Sequence, residues 1–141
     1  VVAQFEHAQR FNLAGIDALV FCRPLGFIGL LGGGVIGGGW AARFVLNGYD
    51  VKIYDVDPQA KRKIGEVMAN GRRAYAKLTL APLPLEGKIT FVDTPEEAVT
   101  GVDFVQESAP ERVELKQELL ARASRVAPAD VVFGYDELGR I

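Results

Sequence analysis

The chain has 141 residues, 49% of them hydrophobic and 24% charged, and a formal net charge of −2. That length suits one domain with a real core, and the charge balance argues against a nucleic-acid or anionic-membrane partner. A single cysteine, Cys22, cannot close an internal disulfide, so a reducing cytoplasm is the expected compartment.

Residues 1–26 show some helical spacing, but Gly15 and Pro24 interrupt it and no motif stands out. They are set apart as an unassigned N-terminal extension, with residues 27–141 as the folded domain. The apolar run from Ala18 to Trp40 raises the question of a membrane span. Arg23, Pro24 and the glycines that follow argue against one. The first residues carry neither the basic cluster nor the cleavage pattern of a signal peptide. No metal site is read.

From Phe27 the pattern sharpens. Phe27 to Leu31 is a short apolar run ending in glycine, which predicts a buried strand. Val35 to Asn47 predicts a helix with Ile36, Trp40, Phe44 and Val45 on one side and Gly48 as its stop. Val51 to Asp55 is a second strand. Asp57 and Pro58 then open a long helix to about Leu78, with Ile64, Val67, Met68, Ala74, Tyr75 and Leu78 as its apolar stripe. After the loop "APLPLEG", "KITFV" is a third strand, and Thr94-Pro95 caps a short helix ending at Gly101. "DFVQES" is a fourth strand, Glu111 to Val126 a charged amphipathic helix, and "DVVFG" a fifth strand. Strands alternating with helices at this spacing predict an α/β fold with a parallel sheet.

The first strand runs directly into Gly32-x-Gly34-x-x-Gly37 and a helix. In that context the glycines are a dinucleotide fingerprint of the doubly wound, Rossmann-type fold, here as a single domain. Gly32 permits the tight turn, and Gly34 leaves room for a pyrophosphate. Gly37 lets the helix lie close, and the helix N-terminus faces the phosphates. An acid is required at the end of the second strand, and Asp55 stands there. A carboxylate accepts hydrogen bonds from the adenosine ribose hydroxyls and repels a 2′-phosphate. The next residue is Val56 rather than arginine, so NAD is expected in preference to NADP. Lys61 and Arg62 read as a solvated face.

Three stretches, "GGGVIGGGWAARF", "IGEVMANGRRAYAKLTLAPLPLEGKITF" and "QESAPERVELK", resemble the NAD-binding half of the 3-hydroxyacyl-CoA dehydrogenase family. The resemblance covers about Ile28 to Val132. It assigns Gly32, Gly33, Gly34, Val35, Ile36 and Gly37 to the phosphate loop and Asp55 to the ribose. It further implies that Glu111 and Lys116 lie near the nicotinamide half. By spacing alone, Glu111 reads as a first-turn helix acid and Lys116 as a surface charge.

The implied reaction oxidises a 3-hydroxyl to a 3-oxo group on a small molecule, with carnitine as the first candidate substrate and a 3-hydroxyacyl-CoA as the second. The resemblance also implies a homodimer for a full-length enzyme. Where the family has a serine-rich turn after its fifth strand, this chain reads Gly134-Tyr135-Asp136-Glu137-Leu138-Gly139. The family's catalytic histidine and its glutamate partner come further along than Ile141, so no residue here is assigned a catalytic role. His7, the single histidine, is not placed at a nicotinamide by anything in the pattern. The chain alone is therefore expected to bind NAD without turnover. A non-catalytic NAD-binding module and a structural protein that has kept only the fold stand as alternatives.

Overall fold

A computed structural model describes residues 26–78, 82–110 and 112–135. Of the predicted N-terminal extension only Gly26 is described; residues 1–25, with Cys22 and His7, lie outside the described residues, and so do Glu111 and residues 136–141.

Among the described residues nine elements alternate: β1 (Phe27–Leu31), α1 (Val35–Val45), β2 (Asp50–Tyr54), α2 (Ala60–Leu78), β3 (Ile89–Val92), α3 (Pro95–Val99), β4 (Phe104–Glu107), α4 (Val113–Ser124) and β5 (Val132–Tyr135). The five strands form one sheet in the order β3-β2-β1-β4-β5, and every pairing is parallel. The order reverses at β1, with β2 on one side and β4 on the other. A crevice for ligands therefore opens beyond the carboxyl ends of β1, β2 and β4.

The sheet is covered on both faces, which is why its central strands are apolar nearly throughout. Ile28 and Leu30 of β1 join Ala41, Phe44, Val45, Val51, Ile53, Ile64 and Met68 in a core beneath α1 and α2. Leu31 and Val105 join Ala98, Val99, Val102, Leu119 and Ala123 beneath α3 and α4. Gly29 also faces α3: a Cβ there would lie 2.6 Å from the Ala98 carbonyl oxygen. The short helix can settle on β1 because that side chain is missing.

The two apolar stripes predicted for α1 and α2 need correction. In α1 the buried face is Gly37, Gly38, Ala41, Ala42, Phe44 and Val45. Ile36 and Trp40 are exposed, and Trp40 stacks on Phe44 with ring centroids 5.6 Å apart. Small residues face inward because α1 lies close to its neighbours; a Cβ on Gly38 would sit 3.3 Å from Val67 of α2. In α2, Ile64 and Met68 are buried, Val67 and Tyr75 pack partly against the core, and Ala74 and Leu78 are exposed. Ala74 and Leu78 face away from the core and find no cover among the described residues.

Local signals set the helix starts. Thr94 Oγ1 accepts the Glu97 N–H at 3.2 Å, with Pro95 opening α3. Asp57 Oδ1 accepts the Gln59 N–H at 2.8 Å, and its other oxygen is 2.6 Å from Lys63 Nζ. Asp57 and Pro58 thus form a turn that delivers the chain into α2 at Ala60, later than predicted. After α1, Gly48 takes φ +88°, a left-handed turn that the Gly48 N–H to Val45 carbonyl hydrogen bond closes. The remaining boundaries fall within one or two residues of expectation, as element ends do. No helix among the described residues is long and apolar enough to cross a membrane.

Candidate cofactor site

Three loops meet at the carboxyl end of the sheet, and Gly32 is where they touch. Its φ of +106° favours glycine, and its N–H donates to the Tyr54 carbonyl at 2.9 Å. A Cβ at this position would lie 2.7 Å from the Ser108 carbonyl carbon and oxygen. The loops after β1, β2 and β4 are therefore packed backbone against backbone. Gly37 serves the same closeness one helical turn later, because a Cβ there would overlap the Gly32 carbonyl oxygen.

Gly34 is different. Nothing among the described residues lies within 4 Å of where its Cβ would be, and the residue is exposed. Packing among the described residues does not require glycine here; an approaching ligand would. Gly34 is also the N-cap of α1, with no side-chain cap and no acid in the first turn. The first helical hydrogen bond runs from Gly38 N–H to Gly34 O at 2.8 Å. The N–H groups before it point out of the helix end, where the dipole favours an anion. Val35 and Ile36, both exposed, stand beside that end.

Asp55 follows β2 and reaches across to the glycine loop. One carboxylate oxygen accepts the Gly33 N–H, and the other accepts the Asp57 N–H at 2.6 Å. Each oxygen keeps a further lone pair, enough for a vicinal diol. Gly33 is buried and its N–H is engaged by Asp55, so it holds the loop to the acid. Beside them a hollow of about 170 Å³ is lined by Gly32, Tyr54, Asp55, Ala109, Leu115 and Arg122. A larger one, about 390 Å³, lies between α1 and α2 along Gly39, Ala42, Val67 and Gly71, away from the crevice.

Lys116 is not a surface charge. Its side chain is largely buried, and Nζ lies 3.3 Å from Glu107 Oε2, which is fully buried at the end of β4. Glu107 Oε1 accepts the Ala109 N–H at 2.6 Å, so this pair ties the start of α4 to the loop after β4. The sequence reading passed over Glu107. The signal available was a carboxylate closing an otherwise uncharged strand, "FVQE". Glu111, the other residue assigned to the nicotinamide half, lies outside the described residues. Gly134 belongs to β5, where a Cβ would meet Gln106 Oε1 at 2.6 Å.

The features fit a dinucleotide: a glycine with open space above it, an uncapped helix end and a carboxylate fixed beside them. Residues 27–135 match the model of the 3-hydroxyacyl-CoA dehydrogenase, NAD binding domain family. The chain belongs to that family. It is similar to an L-carnitine dehydrogenase/betainyl-CoA thioesterase from Rhizobium sp., with 56% identity over 109 residues, 77% of this chain and 22% of that protein. An L-carnitine dehydrogenase from Mesorhizobium japonicum is 52% identical over 109 residues, covering 77% of this chain and 30% of that protein. Among solved structures, an NAD+-dependent 5-formyl-3-hydroxy-2-methylpyridine 4-carboxylic acid 5-dehydrogenase superposes with a TM-score of 0.70 at 29% identity. That superposition covers 81% of this chain and 37% of the other. The chain thus spans less than a third of the length of the two curated relatives, and its cofactor is that of the family, NAD.

Proposed function

We propose that the chain is the cofactor-binding part of an NAD-dependent dehydrogenase that oxidises a 3-hydroxyl to a 3-oxo group. L-carnitine is the substrate of the complete enzyme in this reading. The observation that carries the cofactor half is the Asp55 carboxylate, hydrogen-bonded to the Gly33 N–H and set beside the open face of Gly34. What supports the substrate is the identity with L-carnitine dehydrogenases. A 3-hydroxyacyl-CoA is the second candidate, supported by the family description. The complete enzyme is a homodimer in the same reading.

Gly34 and the first turn of α1, with Val35 and Ile36, would hold the diphosphate. Asp55 would accept hydrogen bonds from the adenosine ribose, with the adenosine over the hollow that Tyr54, Leu115 and Arg122 line. Lys116 and Glu111 would serve the nicotinamide side. When bound, NAD supplies the carbon that accepts a hydride. The chain's own residues bind and orient it, and Asp55 excludes a 2′-phosphate by like-charge repulsion.

Titration of the chain with NADH and NADPH tests this. NADH should bind at least about tenfold more tightly, the scale of one charge-assisted hydrogen bond. Asp55→Ala should weaken NADH binding and narrow the gap. Equal affinity for the two cofactors in the unmodified chain would remove the basis for the assignment.

A further inference from the structure

The junction after β4 carries a hydroxyl that the reading above leaves unused. Ser108 Oγ is shielded from solvent and has no hydrogen-bond partner among the described residues. A buried hydroxyl in that state has given up water and received nothing in return. The rest of the residue is firmly placed: its N–H donates to the Leu31 carbonyl at 2.8 Å, at the end of β1. Its own Cβ lies 3.6 Å from where a Cβ on Gly37 would be, in the first turn of α1. Ser108 therefore stands against the phosphate loop and the start of α1. That helix end has neither a side-chain cap nor a first-turn acid. The residue as a whole is half-buried. Rotation about its one side-chain torsion changes where the hydroxyl points.

We infer that Ser108 is a further cofactor-binding residue, whose hydroxyl donates a hydrogen bond to a diphosphate oxygen of the bound dinucleotide. The inference rests on the crevice being a dinucleotide site, as proposed above. A hydroxyl donating to an anionic oxygen makes a stronger bond than one between neutral groups. Ligand binding would thus give the unpaired group its partner.

Titration calorimetry of the chain and its Ser108→Ala variant with ADP-ribose tests the inference, alongside melting of both without ligand. ADP-ribose carries the diphosphate without the nicotinamide. The variant should bind it about tenfold more weakly. Its ligand-free melting temperature should be unchanged or higher, because an unpaired buried hydroxyl has been removed. Equal affinity in the two proteins would overturn the role of Ser108 and leave the cofactor site standing. A weaker affinity together with a lower melting temperature would also overturn it, showing a hydroxyl that supports the fold. Absence of binding to the unmodified chain would overturn the reading of the crevice and this inference with it.

Discussion

The glycines after β1 look alike in the sequence and do different work. Gly37 is demanded by the protein itself, since any Cβ would run into the Gly32 carbonyl. Gly37→Ala should lower the melting temperature by several degrees. Overpacking backbone against backbone costs about 1–3 kcal/mol, and the gain in helix propensity of about 1 kcal/mol offsets only part of it. Gly34→Val should do the reverse. Its backbone, at φ −66°, accepts any residue, and the space above it is open. The variant should melt close to the unmodified chain and lose measurable NADH binding by calorimetry. Unchanged NADH affinity in a folded Gly34→Val variant would reduce the loop to a turn. The spacing of the glycines was legible in the sequence, but the division of labour between them was not. Which glycine is pressed by backbone and which opens on empty space depends on loops that are distant in sequence.

At the scale of elements, α3 and α4 are clasped by a bidentate pair. Arg122 Nε and Nη2 donate to the two Glu96 oxygens at 2.7 and 2.8 Å. The Arg122 guanidinium holds the Glu96 carboxyl below its ordinary value of 4.5. A carboxyl depressed by folding adds stability above its ordinary value, and that stability fades as the pH falls through the lower folded value. Glu96→Gln should therefore melt slightly below the unmodified chain at neutral pH. The difference should shrink towards nothing as the pH falls below 4.5, and again in high salt, because exposed pairs are weak and screened. A difference that persists undiminished in acid would show that the carboxylate charge is not what Glu96 contributes. The helices themselves were readable from their caps and periodicity. The buried face of α1 differs from the expected stripe, because the largest apolar residues attract the stripe while Gly38 and Ala42 are the ones pressed against α2.

For the whole molecule, the reversal of strand order at β1 gathers the ends of three strands around one crevice. Binding groups are present there. The resemblance places the family's histidine base further along than Ile141, and His7 is the only imidazole in the chain. The 141-residue chain should accordingly bind NADH yet reduce no NAD when supplied with L-carnitine or a 3-hydroxyacyl-CoA, read as absorbance of NADH. Missing acid–base help costs about 10²–10⁴-fold in rate, and missing substrate positioning adds to that loss. Joining the downstream half of a close relative after Val132 should produce turnover on one of the two substrates. Steady NADH formation by the chain alone would mean that it carries a base the sequence does not reveal.

What the sequence determined by itself was the order of elements, the parallel sheet, the glycine loop and the acid Asp55. Each is a local pattern: strand and helix periods, turn residues and a fixed spacing between a loop and a strand end. What only the tertiary structure decided was how these parts answer one another. The Gly33 N–H belongs to Asp55, Lys116 is drawn under the surface by Glu107, and Ser108 is pressed against the phosphate loop with its hydroxyl unpaired among the described residues. Those relations join residues from three strand ends that meet only when β1 lies between β2 and β4. They are set by that packing, because hydrogen bonds, burial and overlap act over a few ångströms of space whatever the separation along the chain.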